Sequence, residues 1–334
     1  MPATKNVLVY DNLGSGHRQG YVRTLAKALG GSGVVGPRLK HVKVLLTSPR
    51  LLLPTFEGGP RFNALVIALR AATGRKTVVI LLRAHLVEHR SRFNRAFHKV
   101  TLRFFGWSKS VLPLSIVDSQ ELLKRCPGIG FVDDPEFWDL TDADVDAAHS
   151  SLADEVSRLR KGRRILLVVG GLSASKGLSY LRQIRETSPL LDAHIFLVVA
   201  GPVSADAYDD VSALRAAGAF VLDRFLSDDE LLSLFKLADM AWCCYPVQRD
   251  MSSGIFGRCW QIGVIPVVRQ GSLLERKFGG TMHTRPIPYD DAQTAAAILC
   301  STLPDRPARQ LAWASQSLRF RYVVQQFFDR GQSL

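Results

Sequence analysis

Short apolar runs rich in β-branched residues alternate with longer segments of helical period along most of this chain, and that alternation leaves few folds open. VLVY (7–10), VKVLL (42–46), TVVILL (77–82) and VLPLSIV (111–117) read as the strands of a first half. ILLVV (165–169), HIFLVVA (194–200), AFVLD (219–223), DMAWCC (239–244) and VIPVV (264–268) read as those of a second. Helical stretches at 17–29, 62–72, 90–105, 176–187, 204–217, 228–237 and 253–262 lie between them. Apolar strands separated by helices are the pattern of βαβ units on parallel sheets. At 334 residues the chain has room for two domains. The expectation is therefore an α/β fold of two Rossmann-like domains facing across a cleft. The acidic, turn-rich stretch from Asp133 to about Ala148 reads as the linker, which gives domains at 1–148 and 149–305, with 306–334 as helices packing back on the first.

Charge divides the halves. Residues 1–130 carry 21 Lys and Arg against 5 Asp and Glu, and residues 131–334 carry 22 against 25. A half so basic implies a polyanionic partner: nucleic acid, anionic lipid or a phosphate-bearing substrate. Nucleic acid is the least favoured, because no DNA- or RNA-binding motif accompanies the charge. No apolar run approaches the roughly 18 residues of a membrane span, and no secretory signal opens the sequence. The five cysteines at 126, 243, 244, 259 and 300 show no metal-ligand spacing. A reduced, cytoplasmic chain is the simplest expectation.

In parallel sheets ligands bind beyond the carboxyl ends of the strands, so the loops there are the places to search. DNLGSGHRQG places Gly14, Gly16 and Gly20 between the first strand and its helix, where backbone N–H groups can approach an anion, and His17 lies in the same loop. The spacing is not that of the strict dinucleotide fingerprint, and VKVLLTSPR ends without the acidic residue that would bind a ribose. A plain tight turn and a dinucleotide loop both remain open. VVGGLSASKGLSYL (168–181) is a strand, a glycine-rich turn with Gly170 and Gly171, and a helix start bearing Lys176. A cation there stands against the helix dipole, which points to an anionic ligand. CCYPVQRDMSSGIFGRCWQIGVIPVV (243–268) runs through Ser252, Ser253 and Gly254 into a helix, the components of a phosphate cradle.

The second and third loops, with LDRFLSDDELLSLFKLADMAWCCYP (222–246) between them, resemble the GT-B glycosyltransferases, in particular glycosyltransferase family 4, over roughly residues 165–275, while the first half is similar in layout only. The resemblance implies a sugar moved from a nucleotide diphosphate-sugar, with retention and without a metal or other cofactor. It implies that Gly170, Gly171, Lys176, Ser252, Ser253 and Gly254 hold the donor diphosphate, with Gly14 and Gly16 giving close backbone access. The base would lie against the turn 222–226, with Arg224 and Phe225. Where the family has a turn arginine this chain has Gly171, and the family's paired glutamates fall on Asp250 and Arg258. Asp250 is then a candidate for the sugar hydroxyls, Arg258 for phosphate, and Glu275 for ribose or sugar. The family's polar residue facing the anomeric carbon falls on His85, with Glu88 and His89 as alternatives and Arg83 and His17 on the acceptor side. Asp142, Asp144 and Asp146 form a DxD pattern, but in the linker, and no metal site is expected there.

HRSRFNRAFHKVTLRFFGWSK (89–109) interleaves Arg92, Arg95, Lys99 and Arg103 with Phe93, Phe97, Phe104 and Trp107, as in a helix at an anionic membrane surface; Arg61, Phe62, Leu65 and Arg70 extend it. The expected acceptor is accordingly lipid-linked or a lipid, met at the inner face of the cytoplasmic membrane. Three other readings stay open: an NADP-dependent oxidoreductase with Arg50 near a 2′-phosphate, a non-catalytic glycan- or lipid-binding relative, and a sugar-nucleotide epimerase.

Overall fold

The computed structural model describes residues 7–12, 17–82, 92–117, 120–250, 253–279 and 284–330, with the backbone alone at His17, Arg92 and Phe93. The chain divides into two units, Met1–Asp139 with Trp313–Leu334, and Leu140–Ala312.

Unit 1 is a parallel sheet of β1 (Val7–Asp11), β2 (Ser32–Val35), β3 (Arg50–Leu53), β4 (Lys76–Leu81), β5 (Val111–Ser115) and β6 (Gly130–Phe131), in the order β2-β1-β3-β4-β5-β6. Its helices are α1 (His17–Leu29), α2 (Arg38–Thr47), α3 (Pro60–Ala72), α4 (Arg92–Trp107) and α5 (Gln120–Arg125). Connections between parallel strands are right-handed, so α2 to α5, which all carry the chain toward β6, share one face of the sheet. Leu45, Val66, Ile67, Leu102, Phe105 and Leu122 accordingly form one core with the strand residues beneath them.

Unit 2 repeats the plan with β7 (Arg164–Val169), β8 (Ile195–Ala200), β9 (Phe220–Leu222), β10 (Met240–Cys243), β11 (Ile265–Arg269) and β12 (Arg285–Ile287), ordered β12-β11-β10-β7-β8-β9. Its helices are α6 (Asp142–Ala147), α7 (Ser151–Leu159), α8 (Leu178–Thr187), α9 (Leu190–His194), α10 (Tyr208–Ala216), α11 (Asp228–Leu237), α12 (Gly254–Ile262), α13 (Leu273–Phe278) and α14 (Ala292–Cys300). The chain finishes in unit 1 with α15 (Trp313–Asp329). There Arg321 Nε donates to Ala28 O at 2.6 Å. Lys76 Nζ donates to the carbonyls of Phe327, Phe328 and Arg330, closing the helix's carboxyl end with a cation.

The division falls at 139/140, and local bonds explain why 140–148 goes with unit 2. Leu140 N–H donates to Gln261 Oε1 at 3.0 Å, and Lys236 Nζ donates to Ala148 O at 2.8 Å. The DxD carboxylates serve this region's own structure: Asp144 completes a capping box with Thr141, and Asp146 pairs with Arg309 at 2.7 Å. Arg306 donates to Phe235 O, Lys236 O and Gly263 O and so ties residue 306 to the ends of α11 and α12.

One expected strand is a helix. VKVLL (42–46) lies in α2, whose sheltered positions 38, 41, 42, 45 and 46 follow the helical period, so its β-branched content misleads. The second strand is instead Ser32–Val35, a short and largely exposed edge strand. Arg50 then opens β3, opposite Val7 at the amino edge of the sheet, where it pairs with Asp329 at 2.9 Å. A 2′-phosphate bound beyond the carboxyl end of β1 is out of its reach, which removes the ground for the NADP reading. Two more expectations are corrected on α3: Arg70 is fully buried, donating to Leu45 O and Ser48 O, and Phe62 is half-buried with the Arg38 guanidinium 5.5 Å from its ring centre.

Candidate functional site

Each sheet has one place where the strand order reverses, and the loops that leave it in opposite directions open a crevice there. In unit 2 that place lies between β7 and β10, and in unit 1 between β1 and β3.

The loop after β7 begins with Gly170 and Gly171 and ends in the short helical turn Ala174–Lys176. The loop is fixed to β10 from both sides. Trp242 Nε1 donates to Lys176 O at 2.8 Å. Gly177, at φ +70°, lies against Cys244 O with no room for a Cβ. Lys176 Nζ is thereby placed 5.2 Å from the centre of the Tyr245 ring and 3.6 Å from the point where a Cβ on Gly170 would sit. Ile255, in the first turn of α12, borders the same point at 3.8 Å. The cation therefore stands beside the amino end of α12, two positive features side by side.

Ser253 caps α12, its Oγ accepting from Phe256 N–H at 3.3 Å and sharing a hydrogen bond of 2.7 Å with Tyr245 Oη. Its hydroxyl is thus turned inward, and the groups that α12 presents outward are its first N–H donors. Burial pushes the Tyr245 phenol well up, so it stays neutral beneath the lysine. Gly171 has open space around it, and Arg258 is half-buried on α12. Ser252 lies outside the described residues.

Asp250 and Glu275 take structural partners. Asp250 Oδ1 accepts from Leu273 N–H at 2.7 Å and faces Arg269 at 3.4 Å, while Oδ2 faces Arg276 at 3.5 Å. Its carboxylate thus anchors the loop after β10 to the start of α13. Glu275 accepts from Gly271 N–H, and its own N–H donates to Ser272 Oγ at 3.2 Å.

At the end of β9, Arg224 forms a two-pronged pair with Glu230, at 2.9 and 2.6 Å, and donates to Phe225 O at 2.9 Å. Glu230 in turn completes the capping box of α11 with Ser227. The turn is braced, and Phe225 is presented on it 72% exposed.

In unit 1 the crevice holds a polar group that sequence reading did not single out. Asp11, 3% exposed at the end of β1, accepts from Thr55 Oγ1 and lies 3.8 Å from Arg18 Nη1. Arg38 Nη2 donates to Gly58 O at 2.7 Å, and its Nε is buried without a hydrogen-bond partner. Gly58 and Gly59 are the floor on which both guanidinium groups lie, since a Cβ on either would overlap them. Placing the second strand at 42–46 hid this cluster, because Arg38 follows the real β2 by three residues. Gly14, Gly16, Arg83 and His85, as well as the side chain of His17, lie outside the described residues.

The helix expected at a membrane surface turns only part of its aromatic and basic residues outward. On α4, Phe97 and Phe104 are half-buried, Phe104 against the core, while Arg95, Lys99, Arg103 and Trp107 face outward. The side chains of Arg92 and Phe93 lie outside the described residues. Among the described residues no helix is long and apolar enough to cross a membrane, and no group of three His, Cys, Asp or Glu is placed to hold a metal ion.

No family model matches the chain, and no curated protein matches it by sequence. Solved structures do match. It is similar to Alr3699/HepE of Anabaena, in complex with UDP and glucose, at 14% identity over 97% of this chain and 95% of that one, with a TM-score of 0.63. A UDP-forming α,α-trehalose-phosphate synthase from Burkholderia vietnamiensis matches at 11% identity over 98% of both chains, TM-score 0.61. The sucrose-phosphate synthase of Thermosynechococcus elongatus matches at 14% identity over 96% of this chain and 94% of that one, TM-score 0.60. These likenesses show the fold, the two Rossmann-like domains of the GT-B glycosyltransferases.

Proposed function

We propose that the chain is a glycosyltransferase that binds a nucleotide diphosphate-sugar on unit 2 and passes the sugar to a phosphate-bearing, lipid-linked acceptor met by unit 1. The observation that carries this reading is Lys176, held beside the amino end of α12 at the reversal point of the sheet. A diphosphate there meets an ammonium group and helix N–H donors together. The solved neighbours support the choice of ligand, since one is described with UDP and glucose and another as UDP-forming.

In the transfer, the acceptor hydroxyl oxygen bonds to the anomeric carbon on the face that the diphosphate leaves, as the bond from that carbon to the diphosphate breaks; the diphosphate leaves with the electron pair, and one of its oxygens takes the hydroxyl proton. Lys176 and the first N–H groups of α12 stabilise the charge that develops on it. Phe225, exposed on its braced turn, offers an apolar face for the nucleotide base. Arg18 and Arg38 receive an acceptor phosphate over Gly58 and Gly59. Because the lysine supplies the counter-charge, this reading needs no divalent ion, and transfer continues in a chelator. Retention of configuration and kinship with family 4 belong to the same proposal. The test is release of nucleotide from UDP-, GDP- and dTDP-sugars with and without polyprenyl-phosphate-linked acceptors. Acceptor-dependent release supports the proposal, while release that never needs an acceptor, or turnover to an epimeric donor, refutes it.

A further inference from the structure

The outer side of α2, α3 and α4 is apolar and basic in one place. The three helices lie on the same face of the unit 1 sheet and share one core beneath them. Arg38 over Phe62 links α2 to α3, and Arg61 Nη2 donates to Asn94 Oδ1 at 3.4 Å to link α3 to α4. Outward stand Leu39 (87% exposed), Val44, Leu65 (58%), Leu69, Val100 (68%) and Trp107 (78%). These are six of the thirteen large apolar side chains exposed among the described residues, concentrated on three helices of one unit. Scattered apolar residues need no explanation, but a cluster does. Between them Lys40, Lys43, Arg61, Arg95, Lys99 and Arg103 are exposed, and none of the three helices contains an Asp or Glu.

We propose that this face docks unit 1 on a bilayer bearing anionic headgroups, with Leu39, Leu65, Val100 and Trp107 entering the interface and the cations meeting lipid phosphates. Interfacial binding combines apolar insertion with attraction to anionic lipid, and the face supplies both. A second copy of the chain is disfavoured as occupant, because two such faces would bring unbalanced cations together. Nucleic acid would use the cations but gain little from aliphatic side chains standing outward on a helical surface. Docking is separate from the donor loops of unit 2, and its test uses no sugar nucleotide, so it stands or falls independently of the proposed transfer.

The full chain is sedimented with vesicles of phosphatidylcholine alone and of phosphatidylcholine with phosphatidylglycerol, at low and high salt, alongside its mass in solution. The expected result is binding to the anionic vesicles alone, weakened by salt, with a blue shift of tryptophan emission that Trp107→Phe removes. Leu65→Glu with Val100→Glu, both at exposed positions, lowers binding at least tenfold at an unchanged Tm. Lys40→Gln with Lys99→Gln lowers it roughly tenfold or more. Equal binding to neutral vesicles, no binding at low salt, or variants that bind like the parent overturns the proposal. So does a duplex RNA that strips the protein from vesicles through the same lysines, or a dimer that the Leu65→Glu, Val100→Glu variant dissociates.

Discussion

Lys176 Nζ stands 5.2 Å from the centre of the Tyr245 ring, so a residue from the loop after β7 is held over one from the end of β10. The pair spans the point where the strand order of unit 2 reverses. A cation over an aromatic face is attracted by the ring's quadrupole, and this contact helps to hold the ammonium group at that point.

The placement depends on Gly177. Its φ of +70° disfavours any other residue, and a Cβ there would overlap Cys244 O. Gly177→Ala is expected to cost about 1–3 kcal/mol of stability and to weaken nucleotide-sugar binding with it, as measured by denaturant unfolding and calorimetry. An unchanged Tm would contradict the described loop.

Phe225 separates binding from stability. With the ring 72% exposed, Phe225→Ala should leave Tm within a degree or two while lowering affinity for the nucleotide sugar, by roughly 1–3 kcal/mol if the base stacks on it. Affinity unchanged for nucleotide and nucleotide sugar alike would remove the base from this turn.

Asp250 should behave as a structural anchor. Asp250→Ala leaves Leu273 N–H without its acceptor and the buried Arg269 without its carboxylate, at a cost of about 1–3 kcal/mol. Asp250→Asn keeps an acceptor oxygen and should recover part of the loss. If Asp250→Asn instead abolishes turnover while Tm is unmoved, the carboxylate serves the sugar directly.

The brace under Phe225 is sensitive to acid. Hydrogen bonding from Arg224, then from the Ser227 backbone, holds the Glu230 carboxyl down at about 2 from an ordinary 4.5. A depressed carboxyl favours the fold above its unfolded value, and that contribution fades as pH falls from about 4.5 toward about 2. Glu230→Gln should therefore lower Tm at pH 7, with the difference from the parent narrowing as pH drops through that window. A difference that does not change with pH would show that the pair contributes nothing through charge.

The glycine-rich loop after β7 was legible in sequence because glycines and a strand-to-helix transition are local signals, and Lys176 stands out against the helix dipole. Phe225 came only with the family resemblance of the turn 222–226, and the capping box of Ser227 and Glu230 that braces this turn emerged from the structure. Other features were hidden because they depend on pairing. Asp250 is separated by 19 and 26 residues from Arg269 and Arg276, and nothing in its own loop reveals that they meet. Ser32–Val35 is a weak edge strand beside the more apolar VKVLL, so the sequence pattern points to the helix in place of the strand and leaves Arg38 without a strand end to mark it. The aromatic stripe of α4 had the right period, but sequence alone did not tell which side faces the sheet.

Titration calorimetry of the parent and of Lys176→Ala with UDP-, GDP- and dTDP-sugars tests the central claim most directly. One nucleotide sugar should bind the parent, and the variant, at an unchanged Tm, should bind it roughly tenfold to a hundredfold more weakly. Binding that the substitution leaves intact, or binding of a nicotinamide dinucleotide in place of every nucleotide sugar, would contradict it.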